Sequence, residues 1–431
     1  MAQISDTARA KPFNRVGALL AGKGDLLRGY AAAISGSAGR LVFSLVYFIA
    51  LANTLSIADF GLFATASAAG VMLSRILAFG FISALYRTAT MRPNLIGTFT
   101  GGFLMLALLS LPALGIAAYA THWLFFAADM KLAVFATVIV AEALLWRPVE
   151  GAVIVNNGSG KFGRAAVLVI LGTLMRAAAA VAFTFSPQHT LESWSWFYVA
   201  ANALTLIVAF AAFYPRQRLR FRPELYWRRL ADSLYVAGAE VLFYLQMELD
   251  KLLVLSFGGP TFAGIYAIVM RLVDLTAIPI RAFTMMLVQK LMRTPELLSR
   301  FKVKAGIEGG ILVVSTAAAL FLATVLHFFP NALGRNVAEA APLIGFALLV
   351  PGLRNLVEYQ AELLFARGQT GLRAVNLAVL GGLKVVLLIW AIGAFAETPD
   401  FILSLTLVFV VLYAASALLT YRAVRRPAKA V

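Results

Sequence analysis

The sequence predicts an all-α polytopic membrane protein of about twelve transmembrane helices, arranged as two parallel six-helix repeats around a central cavity. Three observations predict it. The first is composition. Of the 431 residues, 61% are hydrophobic and only 13% charged, and the mean hydropathy is +0.86, whereas a soluble domain is about half apolar and a quarter charged. The second is length: apolar runs of roughly 20 residues recur along the whole chain, enough to cross a ~30 Å hydrocarbon core. The third is an internal repeat.

The spans read, in order, as roughly 30–54, 60–85, 95–120, 131–155, 165–186, 194–214, 233–257, 262–289, 305–329, 341–366, 372–396 and 401–421, with residues at their very ends counted to the gaps. The net charge of +17 follows these spans. Odd-numbered gaps carry only Lys131 and Arg335. Even-numbered gaps and both tails carry 26 basic residues: five between Arg9 and Arg28; Arg87 and Arg92; Lys161 and Arg164; six between Arg216 and Arg229; five between Lys290 and Lys304; Arg367 and Arg373; four from Arg422 to Lys429. The positive-inside rule then places both termini in the cytoplasm and asks for an even number of spans. The basic excess is topological, so no nucleic-acid partner is expected. The expected organisation is a basic cytoplasmic segment 1–29, a first lobe 30–214, a basic cytoplasmic linker 215–232, a second lobe 233–421 and a cytoplasmic tail 422–431. No cleavable signal peptide is visible. The basic, mildly amphipathic stretch 11–30 either lies on the inner leaflet or is a solvated tail.

The repeat supports the two lobes. "RPVEGAVIVNNGSGKFG" (147–163) and "RNLVEYQAELLFARGQTG" (354–371) share an Arg before Val-Glu and a Gly-x-x-Gly ten residues after the Glu. "RTATMRPNLIGTFTGG" (87–102) aligns with "RTPELLSRFKVKAGIEGG" (293–310), and "DFGLFA" (59–64) with "FAGIYA" (262–267). All offsets fall between 203 and 208 residues, which spans six helices. Equivalent helices therefore run the same way, related by an axis along the membrane normal. The Gly-x-x-Gly loops themselves read as tight helix–helix turns rather than phosphate cradles.

Charges inside the spans mark the candidate site, because a charge at the bilayer centre costs at least ~2.5–3.5 kcal/mol and is kept for a reason. Arg40, Arg75, Arg147, Arg176, Lys251, Arg271, Arg281, Arg354 and Lys384 are the cations; Glu142, Glu150, Glu240, Glu248, Asp250, Asp274, Glu358 and Glu362 are among the acids. At 100° per residue Glu240, Tyr244, Met247 and Lys251 form one stripe. Arg147/Glu150, Glu248/Lys251, Arg271/Asp274 and Arg354/Glu358 are also i,i+3 or i,i+4 partners, so internal pairing competes with a functional role. Arg40, Arg75 and Arg176 have no such local acid; they either line a cavity or pair across helices. The expected substrate-binding cations are Arg40, Arg75, Lys251, Arg271 and Arg354, because guanidinium forks suit phosphate. Glu240, Asp250 and Asp274 are the expected coupling or gating acids, with Asp250 the candidate for titration or for linking the lobes.

No GxSxG, HExxH or GxxxxGK[ST] element occurs, so no enzyme is expected. There is no cysteine, and His122, His189 and His327 share no ligand spacing. No metal or cofactor is expected. The gap 86–94 lacks the Asp-Arg-x-Gly element of major-facilitator carriers.

"LDKLLVLSFGGPTFAGIYAIVMRLVDL" (249–275) resembles the seventh–eighth helix region of bacterial polysaccharide-export flippases. "GRLVFSLVYFIALANTLSIADFGLFATASA" (39–68) resembles their first two helices, including the Arg inside the first span, and "NNGSGKFGRAA" (156–166) their fourth-to-fifth loop. These belong to the multidrug/oligosaccharidyl-lipid/polysaccharide exporter superfamily. The resemblance covers roughly 30–420. It implies a V-shaped, MATE-like pair of six-helix lobes in the bacterial inner membrane. It implies a flippase carrying polyprenyl-pyrophosphate-linked oligosaccharide to the outer leaflet for surface polysaccharide, with membrane lipids and the polysaccharide polymerase and chain-length machinery as partners. The alternative is a multidrug or metabolite cation antiporter of the same superfamily, which would want an acid-dominated cavity. Arg40, the Asp250–Lys251 region and Arg271 are the positions carried over as cavity candidates.

Overall fold

The computed structural model describes residues 39–293, 301–367, 369–395 and 398–424. The stretch 11–30, the first residues of the first span, Gly368 of the second Gly-x-x-Gly loop and the end of the tail lie outside the described residues. Every regular element among the described residues is helical. The first half comprises α1 Gly39–Thr54, α2 Ile57–Leu73, α3 Ile82–Met91, α4 Ile96–Phe125, α5 Leu132–Ile139, α6 Arg147–Gly158, α7 Phe162–Thr184 and α8 Leu191–Val208. The second comprises α9 Pro223–Arg293, α10 Phe301–Phe328, α11 Arg335–Ala340, α12 Val350–Ala366, α13 Thr370–Ala394 and α14 Thr398–Val424.

Among the described residues nine helices are long and apolar enough to cross a bilayer. A tenth span is a pair, Arg335–Ala347 and Val350–Leu364, bent by 67°. The shorter α1 and the unusual α9 bring the number to twelve. As one straight rod, α9's 71 residues would be ~107 Å long, over three times the hydrocarbon core. It is not straight. Gly259 takes φ 78°, ψ 176° in its middle, a region open in practice only to glycine. Tyr266 donates to Asp250 at 2.6 Å, though an unbroken helix would hold the two ~24 Å apart. The chain therefore folds back at Gly259 and makes two antiparallel spans.

Two other spans are interrupted. After α2 a 3₁₀ stretch, Ser74–Gly80, carries Ala78 at φ 54° and Phe79 at φ 48°, and the Ala78 N–H is satisfied by the Ser110 hydroxyl at 2.9 Å. Between α5 and α6 lies a π turn, Val140–Trp146. Glu142, within it, is 1% exposed, and Arg147, just after it, 2%.

The halves meet at two glycines. A Cβ on Gly61 of α2 would strike the backbone of Gly264 and the carbonyl of Pro260. A Cβ on Gly264 would strike the carbonyl of Ile57. Ile57 and Pro260 each precede their glycine by four residues, so the contact is the same seen from either side, as in an isologous interface. These are the two glycines that the 59–64 and 262–267 alignment pairs.

At the face that the charge pattern places outside, Asn53 donates to Leu333 O at 2.9 Å and accepts from Asn336 N–H at 3.1 Å. The Asn336 amide donates to Ala52 O at 2.8 Å and Leu55 O at 3.0 Å. On the opposite face the expected linker is strapped down. Gln217 accepts from Gly97 N–H and donates to Pro93 O, both at 2.9 Å. The Tyr226 hydroxyl lies 2.8 Å from Thr98 O and accepts the Arg222 N–H. The segment expected as linker up to residue 232 is already helical from Pro223.

Candidate functional site: ion clusters at the seam between the halves

Four buried polar clusters tie the spans together. The first crosses the halves. Arg147 on α6 pairs with Glu150 at 2.7 Å, one turn away, and with Glu240 on α9 at 2.8 Å. Arg75, in the 3₁₀ stretch after α2, bonds both oxygens of Glu150 at 2.9 and 3.2 Å and lies 3.8 Å from Glu240. Its guanidinium also covers the Tyr244 ring at 4.2 Å. Two guanidiniums thus face two carboxylates, and the cluster is charge-balanced.

The second lies within the first half. Glu142 accepts from Ser67 at 2.6 Å and Tyr198 at 2.5 Å, with Arg176 at 3.4 Å. Arg176 also donates to Asn202 and stacks on Trp146 at 4.2 Å. The third lies within the second half. Asp250 accepts from Tyr266 and lies 3.4 Å from the Lys384 ammonium, which donates to Gln246 O at 2.8 Å. Beside it Lys251 is bonded to Glu248, while Arg354 reaches Asp274 at 3.4 Å and Glu358 at 3.8 Å. The repeat is visible in this chemistry. Arg147 and Arg354 each hold one acid a turn ahead and a second from α9.

A fourth cluster was not anticipated. Glu308 on α10 accepts from Gln360, Tyr413 and Tyr421 at 2.9, 2.8 and 2.6 Å.

The predicted site residues separate. Arg75 is not open to a cavity: it is 5% exposed and held by Glu150 and Glu240, because the fourth and seventh spans bring to it the acid its own helix lacks. Asp250 does not link the halves. It is 1% exposed and joins the two limbs of α9 to α13, and Glu240 makes the cross-half contact instead. Asp274 and Arg354 face each other. Lys251 keeps its i,i+3 partner. Arg271 donates to Ser44 of α1, a further bond across the halves. Arg40 lies exposed in the first described turn of α1, one turn before Ser44 on the same face. A polar track thus runs Arg40, Ser44, Arg271, Asp274, Arg354, Glu358, with Lys251 beside it; Lys251, Asp274 and Glu358 side chains are 20%, 24% and 17% exposed.

Tyr198 and Tyr266 were missed as partners. Their signal is a tyrosine far from the interfacial belt, whose hydroxyl needs a buried acceptor. Glu308 sits three residues inside its expected span, where an acid reads as headgroup-level. No group of three His, Cys, Asp or Glu among the described residues is placed to hold a metal ion.

No family model and no curated protein matches this chain. Solved structures do. An inward-facing multidrug resistance MATE family transporter of the MOP superfamily superposes with a TM-score of 0.70 at 13% identity, over 89% of this chain and 94% of the other. An outward-facing one gives 0.58 at 12% identity, over 90% and 93%. A Vibrio cholerae MATE transporter gives 0.54 at 13% identity, over 90% and 94%. What is shared at such identities is the fold: this chain is a membrane-spanning, all-α bundle of the MATE type.

Proposed function

We propose that the chain is an alternating-access carrier that moves polyprenyl-pyrophosphate-linked oligosaccharide from the cytoplasmic to the outer leaflet of a bacterial inner membrane, with both termini cytoplasmic. The observation that supports this reading is the polar track, in which the cations Arg40, Arg271, Arg354 and Lys251 are interleaved with the acids Asp274 and Glu358. Arg271 bridges from α9 to α1, one turn from Arg40, with Lys251 and Arg354 next in line. In the proposed cycle these cations replace water around the phosphates while the lipid tail stays in the bilayer. The inside-negative potential favours export, by about 2.3 kcal/mol per 100 mV for each negative charge moved outward. Asp274 and Glu358 hold Arg354 in place when no anion is bound. Polymerase and chain-length proteins would act downstream on the exported unit.

One observation favours a second reading, a cation antiporter. Glu150 and Glu240 keep 26% and 33% side-chain exposure in the cross-half cluster, and protonation of either would loosen its two guanidiniums. The test separates the two. Cells lacking this protein should accumulate one completed lipid-linked oligosaccharide on the cytoplasmic leaflet. The Arg40→Ala, Arg271→Ala double variant, inserted and folded, should fail to relieve it. Unchanged surface polysaccharide in the deletion, together with lost efflux of small cations, would sink the flippase reading.

A further inference from the structure

We infer that the cleft where α3, α4 and the start of α9 meet is a binding site for an acidic phospholipid of the inner leaflet. The cleft has a volume of about 530 Å³. Arg87 on α3, Arg92 just after it, and Arg228 and Arg229 on α9 line it. The one acid in the lining, Asp232, lies 3.7 Å from Arg229. Four guanidiniums less one carboxylate leave a charge of +3. None of the four belongs to the track proposed to carry substrate.

The rest of the lining is apolar. Phe99, Leu225 and Val236 form a wall continuous with the charged rim. Phe81 and Phe99 stack at 5.7 Å, and Tyr226 meets Phe81 edge-on at 5.7 Å, so the lining residue Phe99 belongs to an aromatic cluster. The strap at Gln217 and Tyr226 fixes the start of α9 against α4, so the walls are preset. Next to the lining residues, Tyr86, Trp227 and Tyr235 are 49%, 57% and 82% exposed. Exposed aromatics beside arginines at helix ends mark the headgroup level of a bilayer.

A ligand matching this cleft has a phosphate for the guanidinium forks and an acyl chain for the wall. Basic pockets between transmembrane helices on the cytoplasmic side hold anionic headgroups in this way. A lipid here touches both halves, since α3 and α4 belong to the first and α9 to the second. Gly80, at the end of the interrupted second span, packs directly on Ser233 and Ala237 of α9. Occupancy therefore stabilises the arrangement seen here.

The test uses the purified full-length chain in detergent. Phosphatidylglycerol should raise its melting temperature by a few degrees; phosphatidylcholine, inorganic phosphate and pyrophosphate should not. In the Arg228→Gln, Arg229→Gln variant, phosphatidylglycerol should bind at least about tenfold more weakly, with melting in detergent alone unchanged. Should that variant fail to fold, Arg92→Gln, fully at the rim, serves in its place. Equal stabilisation by phosphatidylcholine overturns the proposal, as does a phosphatidylglycerol shift that survives both variants. A shift produced by phosphate or pyrophosphate alone assigns the cleft to a free anion or to the substrate headgroup, and overturns the lipid assignment too.

Discussion

Arg147 and Glu240 meet at 2.8 Å across the seam between the two halves, although 93 residues separate them in the chain. Arg147 is 2% exposed and also serves Glu150. Removing it leaves two carboxylates facing only Arg75. Breaking a buried pair from one side costs about 3–5 kcal/mol, and Arg147→Gln is expected to fall in that range. Glu240→Gln should cost less, about 1–2 kcal/mol, because Arg147 keeps Glu150 and Glu240 is a third exposed. The double variant should be less destabilised than the sum of the two. Denaturant unfolding of the purified protein measures all three, and wild-type stability in Arg147→Gln would refute the clamp.

The glycine contact admits no side chain. Gly61→Ala and Gly264→Ala should each destabilise by about 1–3 kcal/mol through overpacking. Because they press on the same spot, their effects should not add. Gly309→Ala is the control, since a Cβ there meets nothing within 4 Å; it should be neutral or stabilising by up to about 1 kcal/mol. Thermal melts that rank Gly309→Ala with the other two would contradict the close approach.

The contact between Asn53 and Asn336 can be locked covalently. The chain has no cysteine, so Asn53→Cys with Asn336→Cys introduces one possible disulfide. Oxidation should cross-link α1 to α11 and stop transport, and a reductant should restore it. Thiol labelling before and after oxidation confirms the bond. Undiminished transport in the fully oxidised protein would mean that this face need not open.

The interrupted second span depends on one hydroxyl. Ser110→Ala leaves the Ala78 N–H without its partner in a buried site, a loss of about 1–3 kcal/mol. Ala78→Gly in the same background should recover part of it, since glycine relieves the left-handed backbone. A melting temperature unmoved by Ser110→Ala would show that water or another acceptor replaces the serine.

Much of this is legible in the sequence. The bilayer fixes how long an apolar run must be, so twelve spans could be counted. Arg147/Glu150, Glu248/Lys251 and Arg354/Glu358 are set by helical geometry and appear as expected. The repeat pointed at Gly61 and Gly264 without saying that they touch. What a single sequence does not contain is distance between helices. Arg75 with Glu150, Arg176 with Glu142, Asp250 with Lys384 and Arg147 with Glu240 are all of that kind. The start of α9 at Pro223 was hidden for another reason. Its first turns carry Arg228 and Arg229 at the membrane surface, and hydropathy marks where a helix enters lipid, not where it begins.

The glycine contact has a further consequence, for ancestry. A surface that fits a copy of itself is what a homodimer uses. Two identical six-helix chains, inserted the same way up, could meet through such a self-matching patch. Joining them end to end replaces a meeting of two molecules in the membrane with a tethered one at millimolar effective concentration. Once joined, the copies were free to diverge. The polar clusters record that freedom. Around Arg147 the second acid is Glu240, from the copy across the seam; around Arg354 it is Asp274, from the same copy. The duplicated scaffold stayed symmetric where backbones touch and became asymmetric where charges do.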